Sequence, residues 1–495
     1  MATPSQPALD PASPLLQQLR DLLLAAGYHH AGLGPTIDDR AITLPDASAP
    51  PTTLNTLVRL FFIAEDCPAQ DVAAAVHPLS IPQLTQAGIL RPADDNGENL
   101  SAQFRIQPYG NLLFAFHHTD LDAPPEEAMM LISPSSLEVA HLMTRRPVHR
   151  ALDIGTGCGF LATQLAAFSD QVHAIDLNPA AIRAAEFNAR WNQISNITFL
   201  SGNLLEPVRG QQFDLIVSNP PFIIAPVTSA FSTRYRFKHS GLAGDTFCID
   251  LAREAAQLLA EDGYFHMIFQ WEEFAGEEWH AHLQQAFANL GCDVWLARNV
   301  CLTAEEHVSQ WLGSLSEAEQ EDADVLAAQA RAYFQNKNVV ATGSGLLTLH
   351  RVSGRPNYFW ADEAPEDHLE PYGASVAALF AARTKIEQLG ETGLLQQNLL
   401  VSPHLTLLQT SNLQNHEWTT AASELSLTQG LKYSLGEVDE EVLKLIADFS
   451  RGMTVADAIG QLELEDFTGK DFVAAYLPKI RELLWYGFLV FAPPA

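Results

Sequence analysis

The residues best suited to chemistry are Asn219-Pro220-Pro221-Phe222, which directly follow the apolar run 213–217. Two adjacent prolines remove two backbone donors, and each proline fixes its φ angle at about −65°. The residue before each proline is also pushed out of the helical region. The result is a stiff corner at the end of a predicted strand, with one amide side chain, free carbonyl groups and an aromatic face. Such a corner can hold a planar group that carries nitrogen, so these four residues are candidate catalytic residues.

A second pattern lies upstream, in Asp153-Ile154-Gly155-Thr156-Gly157-Cys158-Gly159, where the predicted strand 150–154 runs into three glycines. Glycines there let the chain turn sharply and let a ligand lie against the backbone. Dinucleotide-binding segments use G-x-G-x-x-G and bind pyrophosphate at a helix N-terminus. Here the spacing is G-x-G-x-G, and the Asp153 carboxylate would repel pyrophosphate and attract a cation. The segment favours a ligand with an ammonium group, such as S-adenosylmethionine; a plain tight turn is the alternative.

Two further polar residues lie at or just after the carboxyl ends of the next predicted strands. Asp176 stands 23 residues after Asp153, and a carboxylate at the tip of a second strand can accept both hydroxyls of a ribose. Its alternative role is to cap the next helix, although Asn178 suits that role better. Asn203 stands where an adenine amino group would be bound, although turns are rich in Gly-Asn. We expect these side chains in one crevice with Asn219, because open α/β sheets build their sites at carboxyl strand ends.

Two of these segments resemble motifs of the class I S-adenosylmethionine-dependent methyltransferases, in the branch that methylates planar nitrogens. The segment from Asp153 to Gly159 resembles the first motif, and the segment from Asn219 to Phe222 resembles the fourth. The stretch from His239 to Asp245 is similar to release-factor glutamine methyltransferases, and the branch also includes adenine-N6 and guanine-N2 methyltransferases of DNA and RNA. The resemblance covers residues of about 121–352. This chain has Phe222 where the glutamine enzymes usually have Tyr, and Asn203 where Asp is more usual.

The resemblance implies S-adenosylmethionine as the cofactor and an N-methyltransferase activity. The cofactor would be bound by a set of residues at or just after the carboxyl ends of the first four predicted strands: Asp153, Gly155, Thr156, Gly157, Gly159, Asp176, Asn203 and Asn219. Hydrogen bonds from the acceptor N–H groups to the Asn219 amide oxygen and the Pro220 carbonyl would orient the nitrogen, and Phe222 would stack on its flat face. No metal site is expected, because no metal-ligand spacing is present.

Seven apolar, β-branched runs alternate with helical segments over residues 121–352, which predicts βα units around a mostly parallel sheet. The runs are 150–154, 172–176, 197–200, 213–218, 263–269, 292–298 and 346–351. The expected fold is α/β, a Rossmann-like seven-stranded methyltransferase core with two flanking regions. His173 and His266 lie within these runs, and we expect them in the core.

The flanking regions have their own patterns. Residues 1–120 predict helices at 52–66, 71–76 and 82–89 and a hairpin at 103–116, the order of a winged helix. Its balance of 5 Lys and Arg against 12 Asp and Glu favours a protein-docking or structural role over DNA binding. Residues 356–495 predict a C-terminal α+β region, similar to a winged helix, after a linker at 356–373. Strands are expected at 398–410, 418–435 and 488–491, and helices at 441–449, 454–462 and 472–486.

The whole chain of 495 residues carries a net charge of −31, so its surface as a whole does not suit nucleic acid. The densest basic cluster is Arg234, Arg236, Lys238 and His239, which could meet an acidic partner. Five scattered cysteines indicate a reducing compartment, and we expect the cytoplasm. No membrane span and no secretory signal are expected.

The favoured acceptor is a glutamine side-chain amide of a protein. The runner-up is a base amine, adenine N6 or guanine N2, of ribosomal or transfer RNA or of DNA, which a salt-dependent affinity for RNA would reveal. A third possibility is a non-catalytic regulatory protein that binds S-adenosylmethionine. The presence of Asp153, Asp176 and Asn219 together argues against this last one.

Overall fold

The computed structural model describes residues 9–29, 37–38, 41–42, 52–117, 132–224, 244–313, 323–365, 370–414, 416–462 and 469–492. The chain divides into two compact units. The first comprises residues 1–139 and 146–361, and the second comprises residues 140–145 and 362–495. The three-part division at 1–120, 121–352 and 356–495 stays a prediction. No helix in the described ranges is long and apolar enough to cross a membrane.

The first unit begins with helical elements around a small sheet. They are helix α1 (Pro14–Ala25), the short strands β1 (Ile37–Asp38) and β2 (Ala41–Ile42), helix α2 (Thr53–Leu57) with a π-helical continuation (Val58–Ile63), β3 (Cys67–Pro68), α3 (Ala69–Ala75), α4 (Ile81–Gln86), β4 (Leu90–Pro92) and β5 (Asn99–Ala102). The sheet order is β3-β5-β4. The three predicted helices are confirmed. The helix-strand-helix-helix-hairpin order is compatible with a winged helix, and that interpretation stays a prediction.

The predicted hairpin is also confirmed, as strands β6 (Phe104–Tyr109) and β7 (Leu112–His117), but it forms a separate two-stranded sheet. It packs against the rest of the first unit through two asparagine side chains. Asn188 and Asn192 each bond both the N–H and the C=O of one β7 residue, Ala115 and Leu113 respectively, at 2.7–3.4 Å. These amides complete the backbone hydrogen bonds of β7, so the hairpin is joined to the sheet region by specific contacts.

The central sheet follows. Its elements are α5 (Pro134–Leu142), β8 (Val148–Ile154), α6 (Phe160–Ala166), β9 (Ser169–Asp176), α7 (Pro179–Trp191), β10 (Ile197–Ser201), β11 (Phe213–Ser218), α8 (Thr246–Gln257), β12 (Leu259–Phe274), α9 (Ala281–Ala286), β13 (Cys292–Thr303), α10 (Ala304–Gly313), α11 (Ala323–Lys337), β14 (Val339–Arg351) and β15 (Phe359–Glu363). All seven predicted strands are present.

The sheet order is β10-β9-β8-β11-β12-β14-β13-β15. The first five strands in this order are parallel to one another, and β14 is antiparallel to both β12 and β13. The seven expected strands are confirmed, and β15 adds an eighth at the edge of the sheet. Strand β15 lies in the segment 356–373, for which the sequence predicts a linker. The segment is rich in Pro, Asp and Glu, so its composition does not indicate a short edge strand.

The chain order of the sheet creates the crevice. After β8 the chain moves outward to β9 and β10, and it then returns to the other side of β8 as β11. The register pairs Ile154 with Ile175 on one side and with Ser218 on the other, so these three strands end together. A crevice at such a switch point is where parallel sheets bind ligands. Buried apolar residues from β8, β11, β12 and α8 form the core below it.

The second unit contains α12 (Gly373–Leu395), β16 (Leu399–Val401), β17 (Leu405–Gln414), β18 (Glu417–Leu427), β19 (Ser434–Leu435), α13 (Glu440–Phe449), α14 (Val455–Gly460), α15 (Gly469–Trp485) and β20 (Leu489–Phe491). The strands and the last three helices are confirmed. Helix α12 was missed, because its apolar residues are spread around the helix and Gly390 interrupts it with a φ of 59°. Strand β16 pairs with β20, which ties the end of this unit to its beginning.

Candidate active site

Asp153 lies one residue before the end of β8 and is fully buried. Its Oδ2 accepts hydrogen bonds from the Thr156 hydroxyl at 2.6 Å and from the Ala162 N–H at 3.0 Å. Its Oδ1 is buried and has no hydrogen-bond partner among the described residues. Burial raises the pKa of this carboxyl to about 7, and the charge of Asp176 adds to the shift. The described part of the fold therefore leaves one oxygen of this buried carboxyl unsatisfied.

The glycine segment forms an open loop between β8 and α6. Gly155 and Gly157 have φ angles of 75° and 54°, and a Cβ at either position would meet no atom within 4 Å. Gly159 differs, because its added Cβ would lie 3.0 Å from the Ala185 Cβ of α7. Two glycines therefore leave space for a ligand beside the backbone, and the third permits close helix packing.

Asp176 is the last residue of β9, and both of its oxygens accept backbone hydrogen bonds. Oδ2 accepts from the Gly157 N–H at 2.9 Å, and Oδ1 accepts from the Asn178 N–H at 2.8 Å. Burial raises the pKa of Asp176. The helix cap is Asn178, whose side chain accepts from the Ala180 N–H at 2.9 Å. Asp176 is thus available at the crevice and is tied directly to the glycine loop.

Two other residues lie near this edge of the sheet. Leu177, which sequence reasoning did not single out, is 59% exposed although it is a large apolar side chain beside Asp176. Asn203 is exposed after β10, and it lines a surface cavity of about 410 Å³ together with Leu204, Glu206 and Arg209. Both residues are therefore exposed at this edge of the sheet.

The Asn-Pro-Pro-Phe corner directly follows β11. Pro220 is buried, and Phe222 is half-buried and packs against the core below the crevice. The next segment is anchored at Ile224, whose N–H donates to the Gln270 side chain at 3.1 Å and whose carbonyl accepts from the His307 ring at 2.7 Å. The corner is therefore held at both ends, by β11 before it and by these contacts after it.

The Asn219 side chain is held at its nitrogen end. Its Nδ2 donates to the hydroxyl oxygens of Ser135 at 3.0 Å and Ser136 at 2.9 Å, both at the start of α5. Its Oδ1 is buried and has no partner in the described part of the chain. Sequence reasoning missed both serines, which lie 84 and 83 residues from Asn219. The run Ser133-Pro134-Ser135-Ser136 is typical of a helix start. Nothing in this run indicates a contact with Asn219.

The other residues considered in the sequence analysis are two histidines and a basic cluster. His173 is buried and the pKa of its ring is lowered by burial, and His266 is buried against Thr348 with a pKa lowered to about 3. Both are core residues, as expected. The basic cluster 234–239 and most of the stretch 239–245 lie outside the described residues. Within the described ranges, no group of three or more His, Cys, Asp or Glu could hold a metal ion.

Comparison with known protein families gives three matches along the chain. Residues 133–291 match the methyltransferase small domain. Residues 38–102 and 381–491 match two families that are each described as a domain of unknown function, DUF7059 and DUF7782. The first match contains α5 and every candidate site residue named above.

Individual relatives agree with the first match. The chain is 31% identical over 209 residues to the release factor glutamine methyltransferase of Salmonella typhimurium, covering 40% of this chain and 71% of that protein. It is 31% identical over 125 residues to the ribosomal protein uL3 glutamine methyltransferase of Xanthomonas campestris, covering 24% of this chain and 41% of that one. It is 29% identical over 151 residues to the tRNA1(Val) (adenine(37)-N6)-methyltransferase of Actinobacillus pleuropneumoniae, covering 30% and 62%.

Among solved structures, a methyltransferase from Pyrococcus furiosus aligns with 45% of this chain and 85% of its own, at 17% identity and a TM-score of 0.27. The Salmonella relative combines 31% identity with coverage of most of its length, and the methyltransferase small domain match includes the whole crevice. The chain therefore belongs to the methyltransferase small domain family and is an S-adenosylmethionine-dependent N-methyltransferase.

Proposed function

We propose that this enzyme methylates the side-chain amide nitrogen of a glutamine in a protein, and that Asn219 holds that amide. One observation carries the proposal. The Asn219 Oδ1 is a buried acceptor with no partner among the described residues, on a corner fixed at both ends. A buried acceptor is costly unless a donor satisfies it, and an N–H of the substrate is such a donor.

The residues of the crevice suit the cofactor. The buried, unpartnered Oδ1 of Asp153 fits an ammonium group, and the space beside Gly155 and Gly157 fits a ligand lying on the loop. Asp176 at the end of β9 would accept the ribose hydroxyls, and Leu177 and Asn203 would meet the adenine. When bound, S-adenosylmethionine supplies an electrophilic methyl group.

The corner would then orient the nitrogen that receives this methyl group. A primary amide has two N–H donors, and the Asn219 Oδ1 and the Pro220 carbonyl are two acceptors on one stiff segment. Their hydrogen bonds would favour the positive charge that develops on the nitrogen. The new nitrogen–carbon bond would replace the carbon–sulfur bond of the sulfonium, the thioether S-adenosylhomocysteine would leave, and the proton lost from the nitrogen would pass to water. Phe222 would stack on the amide plane.

A protein substrate agrees with the charge of the chain. The net charge is −31, and helix α4, in the place of a recognition helix, contains no Lys or Arg. Two of the relatives described above are named for glutamine in proteins. We keep a protein-docking role for residues 1–120. We also keep the cytoplasm as the compartment, because none of the five cysteines is joined to another in a disulfide.

A base amine of RNA or DNA is the second candidate. It is favoured by the tRNA adenine-N6 relative, and an exocyclic amine presents the same two N–H donors as an amide. Phe222 would stack equally well on a base. The two acceptors differ in the macromolecule that carries them, so they can be separated by experiment.

The test is methyl transfer from tritiated S-adenosylmethionine to a lysate of the host cells, treated beforehand with nuclease or with protease. Label that survives nuclease and is lost with protease supports the glutamine proposal, and complete enzymatic digestion of the labelled protein should then release N5-methylglutamine. Label lost with nuclease overturns it in favour of the base. The Asn219→Ala enzyme is the control for transfer by this site.

A further inference from the structure

The orientation of the Asn219 amide depends on contacts from outside its own strand. The two ends of an amide have opposite hydrogen-bonding character, because the oxygen only accepts and the nitrogen only donates. Rotation of the amide by a half turn would therefore present N–H groups to the N–H groups of the acceptor. Since the terminal torsion of Asn is broad and roughly two-fold, the backbone at the corner does not by itself select one orientation.

In the structure the Ser135 and Ser136 hydroxyls bind the nitrogen end of the amide. The Asn219 Nδ2 has two hydrogens, and the two serine oxygens lie at 3.0 and 2.9 Å from it. The opposite orientation would place both hydrogens where Oδ1 now lies, a buried position without a partner in the described fold. Two buried unpaired donors cost more than one buried acceptor that a substrate can satisfy.

The serines are themselves fixed by the start of helix α5. The Ser133 Oγ lies 2.8 Å from the Ser135 Oγ and 3.1 Å from the Ser136 Oγ, and it accepts from the Ser136 N–H at 3.2 Å. The residue before Ser133 is tied to strand β6, because the Gln107 side chain donates to the Ile132 carbonyl at 3.3 Å. The three hydroxyls and Asn219 thus form one connected network.

We propose that Ser135 and Ser136 are positioning residues, which hold the Asn219 amide with its oxygen directed at the acceptor nitrogen. The inference rests on the proposed role of Asn219. The serines touch neither the acceptor nor the transferred methyl group in this proposal, and they act only through the amide.

A direct test uses the side-chain amide signals of 15N-labelled protein. Comparison with Asn219→Ala identifies the Asn219 NH2 signal, and slow solvent exchange is expected in the wild type. The Ser135→Ala, Ser136→Ala double variant should shift this signal and speed its exchange. Ser80→Ala is the matched control, since Ser80 caps helix α4 and its hydroxyl bonds Gln83. An unchanged Asn219 signal in the double variant would overturn the inference.

A kinetic cycle tests the consequence, with protease-sensitive tritium transfer to nuclease-treated lysate as the assay. The double serine variant should lower the transfer rate about tenfold or more, the size expected for two hydrogen bonds. It should leave calorimetric affinity for S-adenosylmethionine unchanged, and Ser-to-Thr variants should restore most of the rate. In the Asn219→Ala background, removal of the serines should have no further effect.

The outcomes separate the two proposals. If Asn219→Ala keeps the wild-type rate, the proposed role of Asn219 fails. If Asn219→Ala loses the rate while the double serine variant keeps it, the role of Asn219 stands and the serine inference fails. An additive loss in the combined variant would show that the serines act independently of the amide, which also contradicts the inference.

Discussion

Cofactor affinity should depend on pH through Asp153. The pKa of this buried carboxyl is raised to about 7, so the carboxylate is largely protonated at pH 6. With a pKa of about 7, the ionised fraction is about 9% at pH 6.0 and about 76% at pH 7.5. If the ammonium group of S-adenosylmethionine pairs with the ionised form, affinity should rise roughly eightfold over this range.

The raised pKa of Asp153 also makes the stability of the cofactor-free protein depend on pH. Stability should fall as the pH rises, whereas cofactor affinity should increase. The pKa in the folded protein lies above its value of about 3.9 in an unfolded chain, so the folded state binds the additional proton between these values. The contribution of Asp153 to stability is therefore present at low pH and is lost as the pH rises through about 7. Bound cofactor should remove most of this loss, because its cation favours the ionised carboxylate.

Isothermal titration calorimetry at pH 6.0, 6.5, 7.0 and 7.5 measures the effect. The burial of Asp176 raises its pKa as well, so its titration must be separated from that of Asp153. 5′-Methylthioadenosine provides the control, because it keeps the adenine and ribose but has no ammonium group. Its affinity should report Asp176 alone, and the eightfold rise should appear in the ratio of the two ligands.

The Asp153→Asn enzyme completes the test. It keeps the shape of the side chain and cannot ionise, so its affinity ratio between the two ligands should be flat with pH. A wild-type ratio that does not change between pH 6.0 and 7.5, or a rise that persists in Asp153→Asn, would refute the assignment of Asp153 to the ammonium group.

Three further substitutions have expected outcomes. Asn219→Ala should lower kcat by about 10²-fold or more and leave the calorimetric Kd for the cofactor nearly unchanged; a collapse of cofactor binding would contradict its role. Asp176→Ala should show the reverse, with affinity reduced roughly 10- to 100-fold by the loss of charge-assisted hydrogen bonds, and unchanged affinity would exclude the ribose role. Gly159→Ala should lower the free energy of unfolding in urea by about 1–3 kcal/mol more than Gly155→Ala, because its Cβ would lie 3.0 Å from the Cβ of Ala185 while that of Gly155 would meet nothing within 4 Å. Equal losses would show that backbone strain alone decides both.

Much of the fold could be predicted because its patterns are local. The strand ending at Ile154 is a continuous apolar run that leads into glycines, and the strand ending at Ser218 leads into two prolines. Helix 179–191 begins with Asn178 and Pro179, a cap and a first-turn residue that any sequence reading can recognise. Strand β15 and helix α12 were missed because neither has such a pattern: one is a short edge strand in polar sequence, and the other is kinked at Gly390.

The candidate site also has one part that the sequence determined and one part that only the tertiary structure decided. The types and order of Asp153, Asp176 and Asn219 were determined by the sequence, because each lies at the carboxyl end of a strand or directly after it, and the carboxyl ends of parallel strands meet at one edge. The pairing of Asn219 with Ser135 and Ser136 was decided only by tertiary structure. The serines start a helix more than eighty residues upstream, and they meet the amide only because β11 returns to lie beside β8. The sequence determines which side chains stand at each strand end, because those residues are neighbours in the chain. A contact between distant residues forms only when the sheet brings them together.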